Sequence, residues 1–346
     1  MAQAKLNDDK LKEILRGVYQ PEMEKIKSEI NSQKKVIVLA GPTSVGKTDL
    51  SLKLAVDLGG EIVNADSMQV YRGLDIGTAK VTLEERSLVP HHLIDIRDCH
   101  ESFTVMDFFH EAQLACESIL SRNKVPIITG GTGFYLHALL YGPPMGPPSQ
   151  PELRKNLENE MEKFSPEAMY DRLQKLDPEY ASTITSHDKA KIVRALEIIT
   201  LTQNKVSNLP WNNRNHPINF NFYCWFLFRP RENIYQRIEE RCEYMLKNGF
   251  IDEVIKLKKE GFETNKSVSH AIGYRQCLEY LATDQEDSDY EEFKQKFKQA
   301  TRKYAKRQFT WFRKEPEFKW LDLDAHDREI AVDLIIQDYL SQDTKN

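Results

Sequence analysis

The sequence predicts an α/β fold of the P-loop NTPase type, in which helices flank a parallel β-sheet. Short apolar runs rich in β-branched residues alternate with helical stretches, a pattern typical of parallel sheets. Strands are expected at 36–40, 61–64, 93–96 and 125–129, and again at 220–228 after a long interruption. A glycine-containing turn follows the first strand directly, which is the second sign of this fold class.

The expected helices lie between these strands. Leucines at 50, 52, 54 and 58 precede Gly59 and Gly60, and this pattern is typical of a helix that stops at glycine. Residues 104–121 carry apolar side chains at helical spacing. Strand, helix and strand in this order predict a sheet covered on both faces.

A proline- and glycine-rich cluster at 142–149 divides the chain. The segment 145–215 then loses the strand pattern and is typical of charged amphipathic helices, so it is predicted to be a helical insertion domain. Residues 35–144 and 216–346 form the predicted P-loop core, whose C-terminal region is helical. Residues 1–34 are expected to be an N-terminal extension with a short amphipathic helix.

Composition excludes several classes of protein. No apolar stretch approaches the roughly 18 residues needed to cross a membrane, and the acidic, charged N-terminus lacks the features of a signal or transit peptide. Five cysteines without a Cys-x-x-Cys pair predict neither a disulfide framework nor a zinc site, which favours a reducing cytoplasm. The net charge of −5 means that any nucleic-acid surface must be local.

A phosphate-binding loop is the strongest motif in the chain. Residues 41–48 match G-x-x-x-x-G-K-[ST], between an expected strand and an expected helix. Backbone N–H groups and a helix N-terminus in such a loop bind phosphate. Lys47 would neutralise the terminal phosphate, and the Thr48 hydroxyl would bind Mg²⁺. The predicted diphosphate-binding residues are Gly41, Pro42, Thr43, Ser44, Val45, Gly46, Lys47 and Thr48. A kinase, a GTPase and a diphosphate-releasing transferase would all need this loop.

Two acids follow expected strands and have alternative interpretations. Asp66 comes just after the strand 61–64, at the edge where parallel sheets bind ligands, and is either catalytic, a metal ligand or a turn cap. Asp95 ends the expected strand 93–96 and is either a Walker-B-like metal ligand or a cap. His91 and His92 lack a third ligand at suitable spacing, so a structural role is expected.

Several long motifs, in the same order along the chain, resemble the tRNA dimethylallyltransferase family. They are the phosphate-binding loop, Asn64–Lys80, Gly130–Gly133, Asp188–Glu197, Gln236–Arg241, Gly273–Gln276, Ala305–Gln308 and Trp311–Arg313. The resemblance covers residues from about Lys35 to Trp320. It implies transfer of a dimethylallyl group from its diphosphate to N6 of adenine 37 in tRNAs that read codons beginning with U.

The resemblance also implies site residues and partners. Asp66 matches the general base, which an exocyclic adenine amine needs because its lone pair is delocalised into the ring. Thr43 matches a threonine that contacts the diphosphate, and either Arg237 or Arg241 matches an arginine that does so, with Arg237 preferred. Surface ion pairing with Glu239 or Glu240 is the alternative for these arginines. The implied partners are dimethylallyl diphosphate, Mg²⁺ and the anticodon stem-loop of tRNA, bound by a cytoplasmic monomer of the bacterial type.

The predicted tRNA contacts follow the same resemblance. Thr132 would lie beside the target nucleotide, although a plain tight turn is its alternative. Arg154 and the stretch around Arg194 belong to the inserted helices, which would close over the anticodon stem. The full predicted set is Asp66, Ser67, Met68, Gln69, Thr132, Arg154, Ala190, Lys191, Ile192, Val193, Arg194, His270, Ala271, Ile272, Gly273, Tyr274, Arg275, Lys306 and Arg307.

A basic stretch at 294–314 holds nine Lys or Arg and no Asp or Glu. Phe297, Tyr304 and Trp311 recur every seven residues, so they are expected to face the core. An outer face would then be lined by Lys303, Lys306, Arg307 and Arg313. Such a face is either simply solvated or a surface for RNA phosphates, and the resemblance favours RNA.

Three other functions would account for part of the sequence. An adenylate dimethylallyltransferase uses the same chemistry but does not need the inserted or the C-terminal basic helices. A small-molecule kinase accounts for the phosphate-binding loop but not for the Asp66–Gln69 run. A non-enzymatic nucleotide switch leaves Asp66 without a purpose.

Overall fold

A six-stranded parallel sheet forms the centre of the computed structural model, which describes residues 34–144, 146–209 and 220–341. The strand order is β3-β2-β4-β1-β5-β6, and every pairing is parallel. The strands are β1 (Lys35–Ala40), β2 (Glu61–Asn64), β3 (His91–His92), β4 (Pro126–Gly130), β5 (Asn221–Phe228) and β6 (Lys319–Asp322).

β1 is the central strand, since it pairs with β4 on one side and β5 on the other. All of its residues are buried, as expected for a parallel strand that is covered on both faces. Ile37 lies opposite Ile127 of β4 and Tyr223 of β5. The P-loop type of α/β sheet is therefore confirmed.

The helices that accompany the sheet begin and end where local chemistry dictates. The helix that follows the phosphate-binding loop ends at Gly59, which adopts the left-handed conformation (φ 62°). Thr104 and Asp107 form a capping box at the start of the longest helix before β4. The helices up to β4 and just beyond it are α1 (Lys47–Leu58), α2 (Leu83–Leu88), α3 (Val105–Ser121) and α4 (Gly133–Tyr141).

Residues Tyr141–His216 form a separate compact unit. Its described part is helical and has a hydrophobic core of its own, which includes Leu157, Leu173, Ile192 and Leu196. The helices are α5 (Pro151–Phe164), α6 (Pro166–Leu176), α7 (Pro178–Ala181) and α8 (Lys189–Thr202).

The chain then returns to the sheet through β5 and continues mainly as helices. A long helix of 26 residues carries the basic stretch identified in the sequence. The helices of this region are α9 (Arg231–Lys247), α10 (Phe250–Lys259), α11 (Lys266–Ser269), α12 (Tyr274–Tyr280), α13 (Asp287–Phe312) and α14 (Arg328–Leu340).

One predicted strand is absent and one observed strand was not predicted. Residues 93–96 do not form a strand, because Leu93 (φ 61°) and Asp95 (φ 56°) adopt left-handed backbone conformations, and only His91 and His92 pair with β2. The edge strand β6 was not expected. The N-terminal helix expected within residues 1–34 lies outside the described residues, apart from Lys34.

All five cysteines are free and buried, in agreement with the absence of a disulfide framework. Within residues 34–144, 146–209 and 220–341, no helix has the length and apolar character required to cross a bilayer.

Candidate active site

Three loops meet at the carboxyl edge of the sheet, where they follow the neighbouring strands β2, β4 and β1. The loop after β1 is the phosphate-binding loop, the loop after β2 carries Asp66, and the loop after β4 contains Gly131 and Thr132. Residues of all three line one cavity of about 1030 Å³. Ligands of open α/β sheets bind at this edge, so the cavity is the candidate active site.

The phosphate-binding loop has the geometry that its motif predicts. Ser44 (φ 64°) and Gly46 (φ 108°) turn the chain so that α1 begins at Lys47. The Lys47 ammonium donates to the carbonyls of Gly41 (3.0 Å) and Pro42 (2.9 Å), inside the loop. The Ser44 hydroxyl is buried and has no hydrogen-bond partner among the described residues. An anion in the loop would provide one.

The charged groups around Lys47 make its pKa depend on whether an anionic ligand is bound. Burial among protein atoms and the nearby Arg241 guanidinium lower the pKa of Lys47, and Asp66 partly opposes them, so that the pKa is about 8. Burial also lowers the pKa of Arg241 from its ordinary value. Two cations and one carboxylate therefore lie close together, and a diphosphate would relieve the repulsion between the cations.

Asp66 is held by its own loop and faces the cavity. Its Oδ1 accepts a hydrogen bond from the Met68 amide (2.8 Å), while its own amide donates to Asn64 Oδ1. Thr132 Oγ1 accepts from the next amide, Ser67 N–H, at 3.1 Å. Thr132 therefore ties the loops after β2 and β4 together beside the candidate base.

Both candidate arginines of α9 line the cavity, but they differ in depth. Arg237 is exposed, and its Nε donates to the Ser44 carbonyl of the phosphate-binding loop (2.8 Å). Arg241 lies one turn further along the helix, is mostly buried, and donates to the Thr78 carbonyl (3.1 Å). Neither arginine forms an ion pair with Glu239 or Glu240 in the described structure, and Glu239 pairs with Arg302 instead.

Gln308 is a site residue that the sequence did not single out. From α13, its Oε1 accepts from the Thr43 amide (3.0 Å), and its Nε2 donates to the Gly131 carbonyl (2.9 Å). A Cβ on Gly131 would lie 2.2 Å from this Nε2, so the residue must be glycine for the contact to form. The amide thus joins the loops after β1 and β4. Only its place in the Ala305–Gln308 motif pointed to it.

The cavity has few of the ligands that a structural metal site needs. No group of three or more His, Cys, Asp or Glu residues suited to a metal occurs in the described part of the chain. Thr48, Asp49 and Asp66 do line the cavity. This sparse oxygen set suits Mg²⁺, which keeps several waters and binds through one or two protein groups and substrate phosphates.

The predicted tRNA residues fall into two groups. Nine of those outside the insertion line the cavity: Asp66, Ser67, Met68, Gln69, His270, Ala271, Ile272, Tyr274 and Arg307. Thr132, Arg275 and Lys306 are partly or fully exposed. In the insertion, Ala190 and Lys191 are exposed on α8, whereas Arg154 and Arg194 are partly buried and pair with Glu158 and Glu197.

Four of these predictions need correction because the residues are buried. Ile192 and Val193 are 0% and 3% exposed and belong to the core of the insertion. Gly273 is buried against Phe297. Tyr274 also lines the cavity but is 1% exposed, and its hydroxyl donates to Glu253 (2.7 Å). A side-chain contact of Ile192, Val193 or Tyr274 with RNA therefore does not fit this structure.

The core-facing side of α13 also differs from the prediction. Phe297 is 2% exposed and faces the core as expected, although it also lines the cavity, whereas Tyr304 is only partly buried and Trp311 is 38% exposed. A seven-residue repeat drifts around a straight helix with about 3.6 residues per turn. The buried side of the basic stretch is formed instead by Phe297, Lys298, Thr301, Ala305, Gln308 and Phe312.

The predicted outer face of α13 is confirmed. The four basic residues Lys303, Lys306, Arg307 and Arg313 are exposed. None of them has an ion-pair partner among the described residues, although the Arg307 guanidinium lies over the Tyr304 ring. These charges remain available for an anionic partner.

Asp95 is neither a strand-end cap nor available to a metal. One carboxylate oxygen pairs with Lys80 and the other with Arg86, each at 2.6 Å. Burial would raise the pKa of Asp95, but these two cations hold it below its usual value. His92 pairs with Glu61 (2.7 Å), and His91 bonds the Val89 carbonyl, so both histidines are structural, as expected.

Comparison with known proteins shows that the chain matches a protein family. Residues 69–315 match the family model described as IPP transferase. The chain is 58% identical over 332 residues to a tRNA dimethylallyltransferase of Protochlamydia amoebophila, with 96% of each chain covered. It is 48% identical to the Chlamydia felis tRNA dimethylallyltransferase, with 89% of this chain and 90% of the relative covered.

Solved structures agree with the sequence comparison. A tRNA isopentenylpyrophosphate transferase from Bacillus halodurans superposes with a TM-score of 0.64 at 38% identity, and the match covers 88% of this chain and 97% of that one. A eukaryotic dimethylallyltransferase, crystallised while acting on tRNA, superposes with a TM-score of 0.71 at 31% identity. That match covers 88% of this chain and 79% of the eukaryotic one.

Proposed function

Because this chain belongs to the IPP transferase family, we propose that it transfers a dimethylallyl group from dimethylallyl diphosphate to tRNA. The acceptor is N6 of adenine 37 in tRNAs that read codons beginning with U, and the products are N6-isopentenyladenosine and diphosphate. One observation carries this proposal: the phosphate-binding loop with Lys47 and the carboxylate of Asp66 line the same cavity.

In the proposed reaction, Asp66 acts on the adenine amine and Lys47 acts on the diphosphate. The amine nitrogen of the adenine forms a bond to C1 of the dimethylallyl group while the bond from C1 to the diphosphate oxygen breaks. Asp66 accepts the proton that the amine loses. Lys47, the loop N–H groups and Arg241 stabilise the charge that develops on the departing diphosphate. Thr43 and Arg237 complete the proposed diphosphate contacts, since Thr43 belongs to the loop and Arg237 binds its Ser44 carbonyl.

Mg²⁺ fits the proposed site as a substrate-bound ion. Thr48 would hold it through its hydroxyl, and the diphosphate oxygens would supply further ligands. When bound, the ion neutralises part of the diphosphate charge. Among the described residues, no group of three or more His, Cys, Asp or Glu could fix the position of the ion. The side chains of the cavity must therefore align the reactants.

The unpaired basic face of α13 supports the anticodon stem-loop of tRNA as partner. Lys306 and Arg307 would contact RNA phosphates, and Arg307 also lines the cavity that would receive the extruded adenine. The exposed Ala190 and Lys191 of the insertion are proposed as further contacts. A monomer is proposed as the active form. We place the reaction in the cytoplasm, with the bacterial relatives as support.

One assay separates the proposed reaction from its alternatives. The protein is incubated with labelled dimethylallyl diphosphate, Mg²⁺ and either unmodified tRNA or AMP, and a third reaction contains ATP with candidate acceptors. Label in tRNA supports the proposal. Label in AMP alone would identify an adenylate dimethylallyltransferase, and ATP turnover without prenyl transfer would identify a kinase.

The role of Asp66 has its own test. Asp66→Asn keeps an Oδ1 that can accept from the Met68 amide, so the loop geometry is preserved. We expect turnover to fall by about 10²-fold or more, as for loss of a general base, while tRNA affinity remains within about twofold. Asp57→Asn, which changes an exposed acid of α1 paired with Lys53, is the control. Near-normal turnover by Asp66→Asn would disprove the assignment.

A further inference from the structure

A single carboxylate, that of Glu253, binds the loop of residues 74–80. The proposed mechanism gives this carboxylate no role. Glu253 of α10 accepts hydrogen bonds from three consecutive backbone amides, those of Asp75 (2.9 Å), Ile76 (2.6 Å) and Gly77 (3.0 Å). The Tyr274 hydroxyl is a fourth donor, at 2.7 Å. Successive N–H groups that converge on one anion form a strong and directional interaction.

The loop held in this way forms part of the cavity wall. Gly77, Thr78 and Ala79 line the cavity. The carbonyl of Thr78, one residue beyond the last amide bound by Glu253, accepts from the Arg241 guanidinium (3.1 Å) and from the Gln69 side chain (3.2 Å). Glu253 thus fixes a backbone carbonyl that in turn orients an arginine beside Lys47.

Close packing leaves this loop little freedom to move toward α10. A Cβ on Gly77 would lie 2.3 Å from the Phe250 ring and 2.6 Å from the Tyr274 hydroxyl, so only glycine fits. The far end of the loop is tied by Lys80, which binds the Tyr71 carbonyl as well as Asp75 and Asp95. Glu253 holds the preceding part of the loop, residues 75–77, of which Gly77 lines the cavity.

We propose that Glu253 is a positioning residue that acts through the Thr78 carbonyl to aim Arg241 at the diphosphate of the substrate. The inference rests on the proposed function, because it takes dimethylallyl diphosphate as the ligand of the phosphate-binding loop. Arg241 lies near Lys47 and Asp66 and donates to the Thr78 carbonyl, so a shift of that carbonyl would move the guanidinium. Without the carboxylate, three amides lose their acceptor and the loop can relax.

The main test is equilibrium binding of labelled dimethylallyl diphosphate with Mg²⁺ and without tRNA. Glu253→Gln removes the charge and places an amide NH₂ group against donors. We expect the Kd to rise about tenfold. Asp252→Asn is the matched control, since it neutralises the adjacent, exposed acid in the same first turn of α10, and it should bind as the wild type does. Tyr274→Phe, which leaves all three amide bonds, should weaken binding by about two- to threefold.

A double-mutant cycle tests whether the effect passes through Arg241. In an Arg241→Lys background, which keeps the charge but shortens the reach, Glu253→Gln should change the Kd by less than about twofold. A full tenfold effect in that background would overturn the proposal, as would wild-type affinity in Glu253→Gln. Thermal melting checks that each variant is folded, and an unfolded Glu253→Gln is replaced by Tyr274→Phe in the same cycle.

Transfer kinetics then separate this inference from the proposed function. With tRNA present, Glu253→Gln should raise KM for dimethylallyl diphosphate and also lower kcat, because a displaced Arg241 would contact both the bound and the departing diphosphate less well. If the wild type bound the diphosphate but labelled no tRNA, the proposed function would fail while the role of Glu253 remained measurable by binding.

Discussion

The affinity for dimethylallyl diphosphate should fall as the pH rises above neutrality, because of Lys47. Burial and the neighbouring Arg241 lower the pKa of Lys47 to about 8. Its protonated fraction then falls from about nine-tenths at pH 7 to about one-tenth at pH 9. A phosphate ester loses its second proton near pH 6, so the ligand changes little over this range.

The size of the effect follows from the two states of Lys47. A bound diphosphate places negative charge beside the ammonium, which raises the pKa of Lys47 in the complex. Only the protonated form then binds well, and the Kd should increase about tenfold between pH 7 and pH 9, which is about 1.4 kcal/mol. Below pH 7 the affinity should level off, because Lys47 is already protonated.

Isothermal titration calorimetry at constant Mg²⁺ and ionic strength measures this dependence. Lys47→Arg is the control, since a guanidinium keeps its proton throughout this pH range. It should bind more weakly than the wild type, because its planar group does not fit the carbonyls of Gly41 and Pro42, but with a constant Kd. A flat profile for the wild type, or an equally steep one for Lys47→Arg, would refute the reasoning.

Two further predictions concern contacts away from Lys47. Gln308→Ala removes the link between the loops after β1 and β4, so steady-state kinetics should show an increase in KM for the diphosphate of about tenfold. A KM within twofold of wild type would show that the link is dispensable. Glu61→Gln should lower the free energy of unfolding at pH 7 by about 2 kcal/mol in urea titrations without loss of transfer activity. Burial would raise the pKa of Glu61, but Lys124, His92 and Arg122 lower it to about 2, so the wild type alone should lose this stability as the pH falls from about 4.5 toward 2. Equal acid sensitivity of the variant would contradict this assignment.

The sequence predicted those parts of the fold in which local pattern and tertiary packing agree. β1, β2, β4 and β5 are buried strands with few charged residues, and their apolar runs are visible without any structure. The run at 93–96 has the same composition, but its left-handed residues are stabilised by contacts of Asp95 with Lys80 and Arg86, which no local pattern shows. β6 is short, lies at the sheet edge and is partly exposed, so it lacks the signal of a buried strand.

The site was predictable where a contiguous motif determines it. The phosphate-binding loop and the Asp66 turn are each a few residues long, and the order of strands brings them to one edge. Gln308 lies 265 and 177 residues from the two backbone groups that it binds. Glu253 lies 176 to 178 residues from the three that it binds. A polar side chain on a helix does not reveal such a partner, because its role depends on which loop the fold brings opposite.

The burial of Arg241 shows why the sequence alone could not decide which of the two arginines is better placed to contact the diphosphate. Arg237 and Arg241 are four residues apart on one helix, so they share a face and the same sequence signal. Arg237 is exposed and bonds the phosphate-binding loop from outside, whereas Arg241 is held between the Thr78 carbonyl and the cations and carboxylate of the cavity. A buried guanidinium needs an anion more than an exposed one does. Arg241 is therefore the arginine whose charge a bound diphosphate would stabilise most.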